Sequence, residues 1–208
     1  MPADGTDQLR TKLKARKRSS RSLQLARCRV QVWVLTIAIL LYPDVATPGW
    51  AQTAPSVEYQ VKAAFLLNFV KFIEWPADAF QDNKAPITIC VFGHDPFGSA
   101  LDNILRGKTI ENREVLPRRM SDISDLKSCQ LVFVSALEDK RLPEILSSLK
   151  GTSALVVGET ESFAERGGGI QFFLDDNRLR FAVNVDAVRR ARLEVSSKLL
   201  ALARIVHA

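Results

Sequence analysis

Three groups of side chains in this sequence are of types that can do chemistry: His94 beside Asp95, Cys90 with Cys129, and Arg166 ahead of Gly167, Gly168 and Gly169. A histidine in a turn between a strand and a helix can act as a general base. It needs a nucleophile to activate, and the chain carries no Gly-x-Ser-x-Gly elbow, while its other histidine, His207, is the penultimate residue. A solvated turn histidine is the better reading of His94, so no catalytic residue is assigned. Gly93 to Gly98 follows a strand as a phosphate-binding turn does, yet it lacks both G-x-G-x-x-G and the P-loop lysine.

The glycine run is the most unusual local feature. Consecutive glycines cost backbone entropy and are expected where the chain must take a positive φ or approach another backbone closely. The plainer reading is a helix C-cap leading into a strand. The sharper one is a small-anion or partner-peptide site on exposed amides, favoured by the neighbouring guanidinium. That candidate binding site comprises Arg166, Gly167, Gly168, Gly169 and Ile170, with Asn184 from the next strand. Two cysteines without a histidine near them in sequence make a poor zinc set, so neither a metal nor a cofactor is expected.

Charge then decides the compartment. The net charge of +6 is crowded at the start, because nine of the 29 Lys/Arg and only three of the 23 Asp/Glu precede Ala51, leaving the remainder balanced. The basic arm runs into an apolar stretch, Val30 to Tyr42, of signal-peptide length and short for a bilayer span. Pro43, Pro48 and then Gly49-Trp-Ala51 complete an export signal cut after Ala51, with Ala54 as a nearby alternative. A short membrane anchor or a buried core helix is the competing reading of the stretch. Residues 1–51 are thus read as basic arm and signal peptide, and 52–208 as one exported domain. A nucleic-acid role resting on the arm's charge fails with this reading. Export removes Cys28 and leaves Cys90 and Cys129, an even count that suggests a disulfide, with two buried thiols as the alternative.

The elements that must hold these groups follow from periodicity. Ser56 to Trp75 reads as a helix stopped by Pro76, with Val61, Phe65, Phe69 and Phe72 at helical spacing. Ile87 to Phe92, Leu131 to Ser135 and Ala154 to Val157 are buried-type strands, and Arg113 to Met120 is an edge strand because of Pro117. Asp95 and Pro96 suit a helix start at Phe97, and Arg141 to Lys150 is a helix ended by Gly151. Ser162 to Glu165 has the form of a capping box for one turn. Ile170 to Leu174 and Leu179 to Val185 flank a hairpin turn, and the tail from Ser196 reads as a helix with Leu199, Leu202, Ala203 and Val206 on one stripe. Strands alternating with helices and closed by a hairpin give an α/β class, a three-layer domain with a mixed β-sheet flanked by helices.

Taken together, several segments resemble the YfiR family of periplasmic proteins: Tyr59-Gln-Val-Lys-Ala-Ala-Phe65, Asn68 to Phe72, Glu74-Trp-Pro76, Gly93 to Gly98, Phe163 to Ile170, Arg180-Phe-Ala-Val-Asn184 and Leu193 to Ala203. The resemblance runs from about Glu58 to Val206. It implies a non-catalytic, dimeric inhibitor that holds down an inner-membrane diguanylate cyclase through that enzyme's periplasmic portion. It also implies that Cys90 and Cys129 form the family's main disulfide. Ala164 and Gln171 stand where some relatives carry a second cysteine pair, and Ala182 stands where an acid is usual. A periplasmic small-molecule sensor without a cyclase partner is the alternative expectation, and a hydrolase using His94 ranks last.

Overall fold

The computed structural model describes residues 56–208, so the arm and export segment read over residues 1–51 lie outside it. Helix α1 (Val57–Phe72) is followed by the short strand β1 (Ile73–Glu74), β2 (Ile87–Phe92), α2 (Ser99–Leu105), β3 (Thr109–Ile110) and β4 (Arg113–Met120). Then come β5 (Leu131–Val134), α3 (Leu142–Ser148), β6 (Leu155–Gly158), β7 (Ile170–Asp175), β8 (Arg178–Asn184), α4 (Val185–Arg190), β9 (Glu194–Val195), α5 (Ser197–Leu200) and β10 (Arg204–Val206).

Eight strands form a mixed sheet in the order β10-β8-β7-β6-β5-β2-β4-β3, and β1 pairs with β9 in a separate ribbon. Strands β4, β2, β5, β6 and β7 run parallel, and β8 turns back antiparallel to β7. The three-layer expectation holds because the strand pleat sorts side chains to two faces. Ile87, Ile89 and Val91 of β2, with Leu131, Phe133, Leu155 and Val157, join the side chains of α1 and α2 in one core. Cys90 and Phe92, with Val132, Val134 and Val156, join Leu142, Ile145 and Leu149 of α3 in the other. On the first face, Phe69 stacks on Phe172 at 5.5 Å and meets the edge of Phe181 at 5.1 Å, fixing α1 over β7 and β8.

Several local readings are met. Asp176 and Asn177 take φ of 47° and 57°, the left-handed pair a two-residue hairpin requires. Pro117 sits opposite Ile89, and outward of β4 only β3 pairs, at Arg113 and Glu114, so most of β4 is an edge.

Others differ. Helix α1 ends at Phe72, not at Trp75, because Ile73 and Glu74 leave the helix to pair with Val195 and Glu194. Its buried line runs through Lys62, Leu66, Phe69 and Val70, with Phe65 and Phe72 half-buried, and of the expected stripe only Val61, 41% exposed, lies outside. Asp95 does not cap α2. Its carboxylate accepts from the amides of Phe97 and Gly98, closing the turn before a helix that starts at Ser99. Ser162 has a φ of 54°, outside the extended region an N-cap needs, so the capping box is not made. The tail is helical only over the four residues of α5, where Ser196 does act as the cap. It then becomes β10, because the open edge of β8 offers unpaired backbone groups at Ala182, Val183 and Asn184.

The cysteines are joined. Cys90 and Cys129 form a disulfide within the second core, with Cα atoms 6.0 Å apart and a sequence separation of 39. Cys129 lies two residues before β5, the strand that pairs with β2, so the bond ties neighbouring strands. A loop of that length corresponds to roughly 3 to 4 kcal/mol in the chain-entropy account. Replacing both by alanine is expected to lower the melting temperature by about 10 °C; an unchanged temperature in differential scanning calorimetry would show that the bond constrains nothing.

Candidate functional site

The glycine run has a structural assignment. Gly167 takes a φ of 101° at the end of the turn begun at Ser162, its amide donates to the Ala164 carbonyl, and the Gly168 amide reaches back to the Phe163 carbonyl. These are the two bonds of a Schellman cap. The Gly169 amide donates to the Val156 carbonyl of β6. All three amides that an anion would need are therefore engaged within the fold. The Phe163 ring lies where side chains of Gly158 and Gly168 would be, and glycine is required at both positions for that ring to be buried.

The other residues of the expected site brace the same region. Asn184 is fully buried; its amide nitrogen donates to the Ala164 carbonyl at 2.7 Å, and its oxygen caps α4 by accepting from Asp186 and Ala187. Gln171 accepts from the Ala164 amide at 3.3 Å, so a hydrogen bond joins these two positions. Ile170 and Ala182 are buried strand residues. Arg166 alone of the set is exposed, and its guanidinium is turned to Asp139 and Thr160. That hydrogen-bonded pairing holds the Asp139 carboxyl below its ordinary range. Arg166 thereby ties the segment Ala136–Arg141, which follows β5, to the residue after Glu159.

That segment forms one wall of a crevice the sequence reading did not assemble. Strands β2 and β5 are parallel neighbours, yet their following connections diverge: α2 leads to β4 on one side and α3 to β6 on the other. Such a switch point leaves a crevice at the carboxyl ends of the strands. Two adjoining cavities of about 440 and 470 Å³ occupy it and share Tyr59, Ala136 and Glu159. His94, Asp95 and Ser135 line the first; Glu58, Lys62 and Glu161 line the second.

At its centre Lys62 projects from the buried face of α1 with only 5% of its side chain exposed. Its ammonium lies 2.5 Å from carboxylate oxygens of both Glu58 and Glu159 and 4.6 Å from the Tyr59 ring centroid. The Tyr59 hydroxyl donates to the other Glu159 oxygen at 3.1 Å. Burial, then the Glu159 charge and that hydrogen bond, push the phenol up to about 12. Arg119 fastens the opposite wall through Asp95, Asp102 and the Gly98 carbonyl. Four carboxylates and one ammonium line the crevice, which is acidic.

His94 is exposed and makes no hydrogen bond to Asp95 or Ser135 among the described residues. No group of three or more His, Cys, Asp or Glu among them is placed to hold a metal. The signal for this centre was present in sequence: Tyr59 and Lys62 both lie in the segment that carried the family resemblance, but Glu159 joins them only through folding.

Tyr59 reports on the crevice directly. With an ordinary value of 10.0 raised to about 12, it favours the folded state below pH 10, and this contribution fades as pH rises towards 12. In the 52–208 domain, where Tyr59 is the one tyrosine, ultraviolet titration should show one late phenolate transition, moved down towards 10 by Glu159→Gln. A transition unmoved by that change would contradict the network.

Comparison with known proteins follows from this description. The sequence model of a family described as YfiR/HmsC-like matches residues 59–204. Among solved structures, a conserved domain protein from Vibrio cholerae O1 biovar eltor aligns with 9% identity and a TM-score of 0.47, over 71% of this chain and 59% of that one. An ABC domain in complex with L-Trp from Streptococcus pneumoniae aligns with 9% identity and a TM-score of 0.46, over 71% and 60%. The chain spans about three fifths of each, and likeness at this level carries neither ligand nor activity across. Among the described residues no helix is long and apolar enough to cross a membrane.

Proposed function

The chain belongs to the YfiR/HmsC-like family, and on that premise we propose that it is a periplasmic regulator. On this reading it binds the periplasmic portion of an inner-membrane diguanylate cyclase and inhibits it, lowering cyclic di-GMP and biofilm formation. The export signal read in residues 1–51 supports the compartment, and a homodimer is the assembly the family leads one to expect.

One observation carries the partner-binding part of the reading. Of the six large apolar side chains exposed among the described residues, two line the acidic crevice: Leu137 after β5 and Leu174 near the hairpin tip. Apolar groups gathered round a charged depression mark a surface that binds another protein. Leu137 is 77% and Leu174 59% exposed, so neither is explained by the core. Arg166 serves the same surface indirectly, by holding the Leu137 segment in place. The buried members of the glycine region, Gly168, Gly169, Ile170 and Asn184, support it from within.

The test uses the host cell. Deleting the gene should raise cyclic di-GMP, and the single changes Leu137→Asp and Leu174→Asp should raise it likewise while leaving the melting temperature of the purified protein unchanged. Unchanged cyclic di-GMP on deletion would overturn the function. Full repression by both variants would overturn only the surface.

A further inference from the structure

At the opposite end of β6 from the acidic crevice lies a third cavity, of about 310 Å³, between the end of α3 and the end of α4. Its character is the reverse. Leu149, Val156 and Val188 give it apolar walls, and Gly167 and Gly169 leave part of its lining without side chains. Added Cβ atoms at Gly167 and Gly169 would come within 3.2 Å of Leu146 and 3.0 Å of Leu155, so side chains there would crowd the space. The only charged residues that line it are Lys150 and Arg190, and no carboxylate does. Both cations are exposed. Lys150 has no ion-pair partner among the described residues, and Arg190 spends one donor on the Ala208 carbonyl at 2.8 Å, leaving the rest of its guanidinium free.

A ligand that satisfies this arrangement needs an apolar body for the cavity and an anionic head for its mouth. We propose that the pocket binds a medium-chain aliphatic carboxylate. The volume falls at the small end of the range for ligand pockets and suits a chain of about eight carbons. A guanidinium presents paired donors that match a carboxylate, and an ammonium beside it adds a second positive charge. The glycine run thus contributes to a binding site by the side chains it omits, while its amides remain committed to the fold. The two cations that would meet the anion are Lys150 and Arg190, and Arg166 takes no part. This inference does not depend on the cyclase reading, because it concerns a different end of the sheet and is tested on the purified chain alone.

Isothermal titration calorimetry with octanoate, octylammonium and acetate separates head from tail. Octanoate should bind saturably, whereas octylammonium, with the same tail and opposite charge, and acetate, with the head alone, should not. The double change Lys150→Glu with Arg190→Glu alters only exposed residues and should weaken octanoate binding by at least about tenfold. Ala191→Trp, at the half-buried rim, should abolish binding by filling the pocket, with circular dichroism confirming an intact fold. Equal binding of octanoate and octylammonium, retention of octanoate binding in the Ala191→Trp protein, or no saturable octanoate binding in the millimolar range would overturn the proposal.

Discussion

The ion pair between Lys62 and Glu159 sets the position of almost everything near the crevice. An ammonium on the buried face of a helix is costly unless a carboxylate accompanies it, and separating such a pair leaves an uncompensated charge in the interior. Glu159 follows directly after β6, so α1 must lie with Lys62 over the carboxyl end of that strand. This placement brings the Tyr59 hydroxyl to the same carboxylate, and its ring against Phe97 at 5.5 Å. Three turns along the helix, Phe69 is brought onto Phe172 and Phe181. The pair is best understood as fixing register, since a well-packed apolar substitute would serve stability as well.

How far the fold could be read from sequence depended on the range of the interactions. The buried strands and the hairpin turn at Asp176 and Asn177 are written in local residue types, and they stand where the sequence places them, whereas the helix expected to run to Gly151 ends at Ser148. The disulfide partners could be paired because the reading of residues 1–51 as an export signal leaves only two cysteines. By contrast, the tail spacing of Leu199, Leu202 and Val206 is helical, yet the chain leaves the helix to use the open edge of β8, a partner that exists only in three dimensions. The same holds for α1. Periodicity placed Val61 inside and could not place a lysine there, because the carboxylate that makes Lys62 tolerable is 97 residues away.

The glycine run has the geometry of the plainer of its two readings, a helix C-cap leading into a strand: the amides close a Schellman cap and a strand contact, and the missing side chains make room for Phe163. The proposed ligand site lies beside the run, in the apolar cavity lined by Gly167 and Gly169 with Lys150 and Arg190 at its mouth. Arg166, one residue from that lining, holds the Leu137 segment on the far side of the sheet end through Asp139. The cavity and the crevice wall are therefore adjacent along the chain, although their charges are opposite.

Hydrogen exchange, recorded on the protein alone and bound to the periplasmic portion of the cyclase it is proposed to regulate, examines the proposed docking surface without altering a residue. The account predicts slowed exchange in residues 136–141 and around the hairpin tip at 173–176, the segments that carry Leu137 and Leu174. Exchange unchanged in both segments, with slowing confined to the β10 edge and α4, would contradict it.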